Sequence, residues 1–413
     1  MTRSLREGLH RHVWRRLPRA VRRSLLFSGA HLIAPRITTS AMLSAPVIVV
    51  GALRTASGLG ESARLCHDAI KALGVPVFGI DIAAQLMQPV DDVAFDFTDG
   101  RHLVGPGTLI VHVNGPLMAL AMSALTRAFV RNKYVAGYWA WELPQAPRDW
   151  KLGLHYVHEV WVPSQFTANA LASMSGRIPV RVVPHPVAIG CSDTRRRPVR
   201  SSDAPFVVLN IFDMASSFER KNPLAAIAAF RCAFDQDAGA TLIIKCANID
   251  CYDVGARQLR EACDGVPNIT LVDQHMSPGQ LAAMYANADV LISLHRAEGF
   301  GLVIAEAMLR GLPTICTQWS GNVDFTSEAT SIPVGYQLVS ALDPQLTYNF
   351  SEMSWADPDI AQAAVALRTL REQPEWANVL GDQARHFAMA TFSANTYANV
   401  LRHLLEIPPQ LPR

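Results

Sequence analysis

Glu298-Gly-Phe-Gly-Leu-Val-Ile-Ala-Glu306, continued by Ala307–Pro313 and then by Trp319-Ser-Gly-Asn322, is the stretch on which the reading of this 413-residue chain turns. Two carboxylates stand eight residues apart. That is slightly more than two helical turns, so Glu306 lies inside a helix on roughly the azimuth of its start. Gly299 and Gly301 let backbone N–H groups face a ligand, and a helix N-terminus favours an anion there. A strand with a polar end, Ser293-Leu-His-Arg296, precedes the turn, and Gly311-Leu-Pro-Thr314 leads into another strand. Open parallel sheets bind ligands outside the carboxyl ends of such strands. The order suits a ligand with a diphosphate in its middle and hydroxyls at both ends, as in a nucleotide sugar.

The same alternation extends in both directions. Towards the amino terminus, Val47–Val50, Val75–Ile80, Thr108–Val113, Tyr134–Tyr138 and Glu159–Val162 read as strands. Between them, Glu61–Leu73, Leu117–Val130 and Thr167–Met174 read as helices. The polar, basic run Thr194-Arg-Arg-Arg-Pro-Val-Arg-Ser-Ser-Asp203 interrupts the pattern and reads as a linker. The alternation restarts with strand Phe206–Asn210, helix Pro223–Ala233, and strands Thr241–Cys246 and Ile269–Val272. Helix Pro278–Ala286, strand Val290–Ser293, helix Val303–Arg310 and strand Thr314–Cys316 follow. The tail reads as three helices, Ile360–Glu372, Glu375–Thr391 and Asn395–Glu406, the last N-capped by Ser393. The expected fold class is therefore α/β, with two Rossmann-like doubly wound domains facing across a cleft. The expected division is a basic segment 1–39, a first domain 40–193, a linker 194–203 and a second domain 204–385. Residues 386–413 would form a final helix that packs back on the first domain.

Composition agrees with this plan and excludes others. The chain exceeds the size of one ordinary core, and 50% hydrophobic against 17% charged residues fits buried parallel strands. Seven cysteines without paired spacing form neither a disulfide framework nor a zinc pattern, and read as reduced thiols. No run is long and apolar enough for a membrane span, and Ser24–Ala34, interrupted by His31, is a poor signal-peptide core. The net charge of +2 conceals Arg3, Arg6, Arg11, Arg15, Arg16, Arg19, Arg22 and Arg23 against the single acid Glu7. Leu5, Leu9, Val13, Leu17 and Val21 recur among them with Trp14 alongside, the composition of a helix lying on anionic lipid, although Pro18 interrupts it. A disordered basic tail is the alternative. We expect a cytoplasmic protein at the inner face of the membrane, with no nucleic-acid partner.

Three further constellations carry chemistry. Asn210-Ile-Phe-Asp-Met-Ala-Ser-Ser-Phe-Glu-Arg220-Lys221-Asn-Pro223 follows the first strand of the second half and opens a helix. Its adjacent cations can neutralise a diphosphate without metal. Thr55-Ala-Ser-Gly58-Leu-Gly60-Glu-Ser-Ala63-Arg64 has the form of a dinucleotide fingerprint with Asp81 beyond it. Its first glycine, however, stands seven residues past Gly51, too far from the strand end for that use. Leu109-Ile-Val-His112-Val-Asn114 and Tyr138-Trp-Ala-Trp141-Glu142 end strands of the first half in polar and aromatic groups. His112 also reads as an ordinary core histidine, and Trp141 as packing at the interdomain rim. Asp235-Gln-Asp237 and Asp357-Pro-Asp359 have the form of a metal-binding pair but follow no strand end, so no metal and no cofactor are expected.

With Glu298, Gly299, Phe300, Gly301, Glu306, Ala307, Met308, Gly311 and Pro313 in register, the chain resembles the retaining family-4 glycosyltransferases of two-Rossmann-domain architecture. The resemblance implies that Glu306 holds the ribose hydroxyls, that the backbone of Gly299, Phe300, Gly301 and Leu302 meets the diphosphate, and that Glu298 lies against the transferred sugar. It places Lys221 on the family's phosphate-gripping lysine. The arginine six residues earlier is replaced by Ala215, so Arg220 is the substitute. It sets Gly58 and Gly60 in a glycine loop over the cleft. Asn114 replaces the second histidine of a His-x-His pair of which His112 is the first. Apart from the resemblance, Glu142 beside the aromatics of its strand end is a candidate for contact with an acceptor hydroxyl. The implied activity is transfer of a hexose from a nucleoside diphosphate; neither the resemblance nor the residues give the base or the sugar, and guanosine-diphosphate mannose is set slightly ahead of uridine-diphosphate sugars as a guess. The implied acceptor is a glycan or lipid-linked one of cell-surface polysaccharide synthesis. The rivals are an epimerase or phosphorylase on the same architecture, a non-catalytic sugar-nucleotide-binding subunit, and a nicotinamide-dependent oxidoreductase using the Gly58 loop.

Overall fold

Runs of β-branched and aliphatic residues become the strands of two parallel six-stranded sheets in the computed structural model, which describes residues 29–88, 93–187, 189, 204–274, 276–392 and 401–402. The first sheet holds β1 (Val47–Gly51), β2 (Val77–Asp81), β3 (Gly107–Val111), β4 (Lys133–Tyr138), β5 (Glu159–Val162) and β6 (Val180–Val182) in the order β2-β1-β3-β4-β5-β6. The second holds β7 (Phe206–Asp213), β8 (Ala240–Ala247), β9 (Ile269–Val272), β10 (Val290–Ser293), β11 (Thr314–Thr317) and β12 (Ile332–Val334) in the order β12-β11-β10-β7-β8-β9. Each sheet is covered on both faces, which is why strands such as β1 and β3 are buried along their whole length. The fold class is the expected one: α/β, with two doubly wound halves.

The strand orders fix where a ligand can sit. In the first sheet the winding reverses between β1 and β3. In the second it reverses between β7 and β10, which pair in parallel from Val208 and Val290. Loops leaving β7 and β10 diverge to opposite faces and open a crevice at their carboxyl ends. Lys221 lies on the first of these loops and Glu298 on the second.

Several elements differ from the sequence reading. Leu117–Val130 is not one helix: a 3-10 turn Gly115–Leu117, a helix Met118–Ser123 and a short helix Arg127–Val130 replace it. Thr126 causes the break, because its hydroxyl caps the second piece by accepting from Phe129 N–H. The helix Asp253–Cys263 was not anticipated; it is rich in charge and carries Gly255, which contacts Tyr252 and Phe218. Nor was the antiparallel hairpin of β13 (Tyr336–Ala341) and β14 (Phe350–Pro358). Tyr348 of its connecting loop and Trp355 of β14 belong to the core of the first sheet, with Trp139, Trp141 and Trp150.

The helix read as Glu375–Thr391 spans Pro374–Phe392. Leu401, further on, is fully buried in the cluster formed by Val47, Val49, Ile110 and Trp161 of the first sheet. The amino-terminal segment through residue 28, the run 194–203 and Ser393 with most of Asn395–Glu406 lie outside the described residues. Among the described residues no helix is long and apolar enough to cross a membrane, and Cys66, Cys232, Cys246, Cys251, Cys263 and Cys316 are free thiols.

Candidate active site

Gly301 makes the turn at Glu298 possible. Its φ of 104° lies where a side chain is strained, and it N-caps the helix Leu302–Leu309. The first amides of that helix point back over the turn, because only from Ala305 onward do N–H groups find carbonyls within it. Phe300 is directed the other way, into a cluster with His185, Phe325 and Phe392 at ring separations of 4.9, 4.9 and 5.6 Å. Phe300 therefore offers a ligand its backbone, while its ring anchors the turn.

Three neighbours hold the turn from outside. Glu298 N–H donates to Ser320 Oγ at 2.7 Å, and Gly321 N–H donates to Glu298 O at 2.8 Å. A Cβ on Gly321 would stand 2.3 Å from Gly299 O, so glycine is required there. Ser164 Oγ, from the first half, donates to Gly299 O at 2.6 Å. Sequence reasoning quoted Trp319-Ser-Gly-Asn322 but assigned it no part; no local pattern reveals that the segment closes on a turn twenty residues away. His295 and Asn322 are a similar case, paired at 3.0 Å and buried beneath the turn.

Charge is concentrated at the Glu298 side chain. Lys221 Nζ lies 2.5 Å from Oε1, and Arg220 Nη1 lies 3.2 Å from Oε2. Burial pushes the Glu298 carboxyl up, but Lys221 and Arg220 outweigh it and hold it down at about 2. The two cations differ in access. The Arg220 side chain is 4% exposed, donates to Ser216 O and Ala297 O, and lies over the Tyr348 ring at 5.2 Å. The Lys221 side chain is 17% exposed. The structure thus sets Arg220 behind Glu298 rather than in the gap left at Ala215, an exposed residue of the turn Met214–Ser216. Ser217 caps the short helix Phe218–Lys221, Asn222 ends it at φ 49°, and Asn222 Nδ2 donates to Leu294 O. These bonds join the loops leaving β7 and β10.

The helix starts only at Leu302, so Glu298 lies outside it, and Glu306, partly exposed, stands about one turn along it rather than two. Tyr285 donates its hydroxyl to Oε2 at 3.1 Å, and Arg310, 4.0 Å away, stacks on the Tyr285 ring. Burial raises the Glu306 carboxyl, Arg310 lowers it and Glu61 of the first half raises it further. Glu61 is carried on the helix Gly58–Ala72. Ser57 caps that helix by accepting from Gly60 N–H, and Arg64 ties Glu61 to Leu53 O and Thr55 O. Gly60 is needed because a Cβ would lie 2.5 Å from Thr55 O, whereas Gly58 is exposed with open space around it. Asp81, the acid of the fingerprint reading, accepts from Arg54 N–H.

The remaining first-half residues divide. His112 is buried, with Nδ1 2.9 Å from Ser62 Oγ and its ring stacked on Tyr138; Nε2 has no hydrogen-bond partner among the described residues. Burial, with His185 nearby, lowers its pKa to about 3, so it is neutral. Asn114 Oδ1 accepts from Ala140 N–H and braces the strand ends. Trp141 is 5% exposed, enclosed by Trp150, Tyr348 and Phe350. Its indole therefore packs the rim. Glu142 Oε2 accepts from the Tyr348 hydroxyl at 2.8 Å, while Oε1 faces the Gly299 turn. Asp237 pairs with Arg371 and Asp357 with Arg296. Among the described residues, no group of three or more His, Cys, Asp or Glu side chains is arranged to hold a metal.

Comparison with known proteins bears on this arrangement. A sequence profile described as "Family 4 Glycosyltransferase in conflict systems" matches residues 163–379, which contain the Lys221 loop, the Glu298–Glu306 stretch and the hairpin. No protein with a curated description matches the chain in sequence. Among solved structures, a glycosyltransferase from Rickettsia africae superposes with a TM-score of 0.60 at 14% identity, covering 89% of this chain and 100% of its own. Sucrose-phosphate synthase from Thermosynechococcus elongatus gives 0.61 at 18% identity, covering 88% and 98%. Anabaena HepE in complex with UDP-glucose gives 0.57 at 15% identity, covering 87% and 99%. At these identities the likeness is one of fold.

Proposed function

The chain belongs to the family 4 glycosyltransferases of conflict systems, and from that premise we propose that it moves a hexose from a nucleoside diphosphate to an acceptor hydroxyl with retention of configuration. The observation that carries this reading is Lys221 and Arg220 closed on Glu298 at the switch point between β7 and β10. In the proposed complex, Glu306 accepts from the ribose hydroxyls and the amides from Leu302 onward face the diphosphate. Lys221 exchanges Glu298 for the leaving phosphate, and Glu298 turns to the sugar hydroxyls. Glu142 and the Gly58 loop, with Gly60 shaping it, close the acceptor side. The C1–O bond to the diphosphate breaks as the acceptor oxygen approaches from the same face. Its proton passes to a departing phosphate oxygen, so the leaving group serves as base.

Departure of a charged diphosphate is the difficult step, and the proposed grip supplies charge where it develops. A cation at about 4 Å contributes about 4 kcal/mol in a near-surface dielectric, close to three orders of magnitude in rate. The helix N-terminus adds roughly half an elementary charge. We therefore propose a metal-independent, cofactor-free reaction. The sugar (mannose or another hexose), the acceptor (a glycan or lipid-linked molecule of surface polysaccharide), and a cytoplasmic site at the inner membrane face are parts of the same proposal. The last rests on the basic amino-terminal segment.

A panel of guanosine- and uridine-diphosphate sugars, with products followed by mass, tests it. One donor should be consumed, slowly by water in the absence of acceptor. Lys221→Ala and Glu298→Gln should each lower that turnover at least 100-fold while the protein stays folded by circular dichroism. Turnover that survives both substitutions would remove the catalytic assignment, and stabilisation by nicotinamide dinucleotides instead of nucleoside diphosphates would remove the donor class.

A further inference from the structure

The loop between β13 and β14 lies in the site, although nothing in its sequence announces chemistry. Asp343, buried, accepts backbone N–H bonds from Gln345, Thr347 and Tyr348 at 3.1, 3.1 and 3.0 Å, which fixes the loop's shape. Gln345 then clamps it to the cationic loop, accepting from Phe218 N–H at 2.6 Å and donating to Met214 O at 2.9 Å. Arg296 adds a second clamp, bonding Glu219 at 2.6 Å and Asp357 at 3.3 Å. Within this frame Tyr348, 7% exposed, presents its ring to the Arg220 guanidinium and its hydroxyl to Glu142 Oε2.

We propose that Tyr348 is a positioning residue of the transfer, binding the carboxylate of Glu142 on the first half to the Arg220–Glu298 pair on the second. The proposal rests on the reading of the Glu298 turn as the donor grip. Glu298 is neutralised by two cations, and the arriving diphosphate must draw Lys221 away. Arg220 then remains as the only one of the two still paired with Glu298. It stays because Ser216 O, Ala297 O and the Tyr348 ring hold its guanidinium. On the other side, the Tyr348 hydroxyl occupies Glu142 Oε2 and leaves Oε1 facing the turn where the sugar would lie, 3.5 Å from a Cβ position on Gly299. One side chain thus orients the donor-side and the acceptor-side carboxylate together, and only while the two halves are closed.

The test uses the full chain with Tyr348→Phe, Glu142→Gln and the double variant, with uridine and guanosine diphosphate as binding probes. Tyr348→Phe keeps the ring under Arg220 and removes only the hydroxyl. It should leave the affinity for the better-binding diphosphate within twofold and lower kcat for donor turnover at least 10-fold at unchanged donor KM. The double variant should be no slower than the slower single variant, since both break one link. Hydrogen exchange in the unliganded protein should rise in both segments 138–146 and 296–301 of Tyr348→Phe. Wild-type kcat, losses that multiply in the double variant, or a fall in diphosphate affinity matching the fall in kcat would each overturn the proposal. If no nucleotide sugar is turned over, or Lys221→Ala keeps full activity, the donor reading fails. In that case the exchange measurement still decides whether Tyr348 joins the halves.

Discussion

Glu298 combines deep burial with full ionisation, and the cost of the first is offset by Lys221 and Arg220. Residues of this kind are legible in a sequence when charge and glycine spacing coincide, as they do from Glu298 to Glu306 and at Arg220–Lys221. Tyr348, Ser320, Gly321 and Ser164 are not, because each acts by reaching a partner far along the chain. Two buried histidines permit a prediction at the same scale. Burial lowers His112 and His185 each to about 3, with His185 adding to the effect on His112. The unfolded chain binds protons at these histidines below their ordinary pKa of about 6.5, and the folded chain does not. Their contribution to stability is therefore complete above about pH 6.5 and is lost progressively as pH falls towards 3. Denaturant midpoints should drop between pH 7 and pH 5, before carboxylates titrate, and the drop should be shallower in His112→Gln.

At the scale of elements, Glu159–Val162, Ile269–Val272 and Val290–Ser293 have the same bounds in sequence and structure, whereas the short edge strands β6 and β12 were not in the sequence reading. Buried parallel strands are continuous apolar runs, the strongest local signal available. The hairpin β13–β14 had none, since four of the six residues of β13 are exposed and show no alternation. The helix Pro374–Phe392 illustrates how tightly elements meet. Gly381 packs on the turn after Leu302–Leu309, where a Cβ would approach Gly311 O to 2.2 Å. Gly381→Ala should therefore force the helix from the turn and cost about 1–3 kcal/mol. A denaturant midpoint equal to wild type would show that the contact yields.

For the whole molecule, the two halves are joined at more than one place. Leu401, almost at the carboxyl end, completes a core begun by Val47 near the amino end. Leu401→Ala should cost about 2–5 kcal/mol, and the loss should appear in the fluorescence of Trp161, which shares that cluster. A melting curve unchanged by the substitution would mean that the carboxyl-terminal segment contributes no stability to the first half. The doubled α/β plan was legible because the alternation repeats. The return of the carboxyl-terminal segment was part of the sequence reading; the joins made by Ser164 and Tyr348 were not, because they depend on single side chains without periodicity.

The bond from Ser164 to Gly299 O has a consequence for inheritance. Two-domain enzymes are often pictured as exchangeable parts, one choosing the donor and the other the acceptor. Here the backbone carbonyl of the donor turn is held by a hydroxyl encoded in the other part, with Thr167 of the same helix bonded to Trp141 O beside it. A hybrid that takes its first half from a distant relative would bring a different residue to that carbonyl. It would begin with a loosened turn, however good each half is alone. Exchange of parts in this lineage is therefore restricted to pairs in which that hydroxyl travels with its carbonyl.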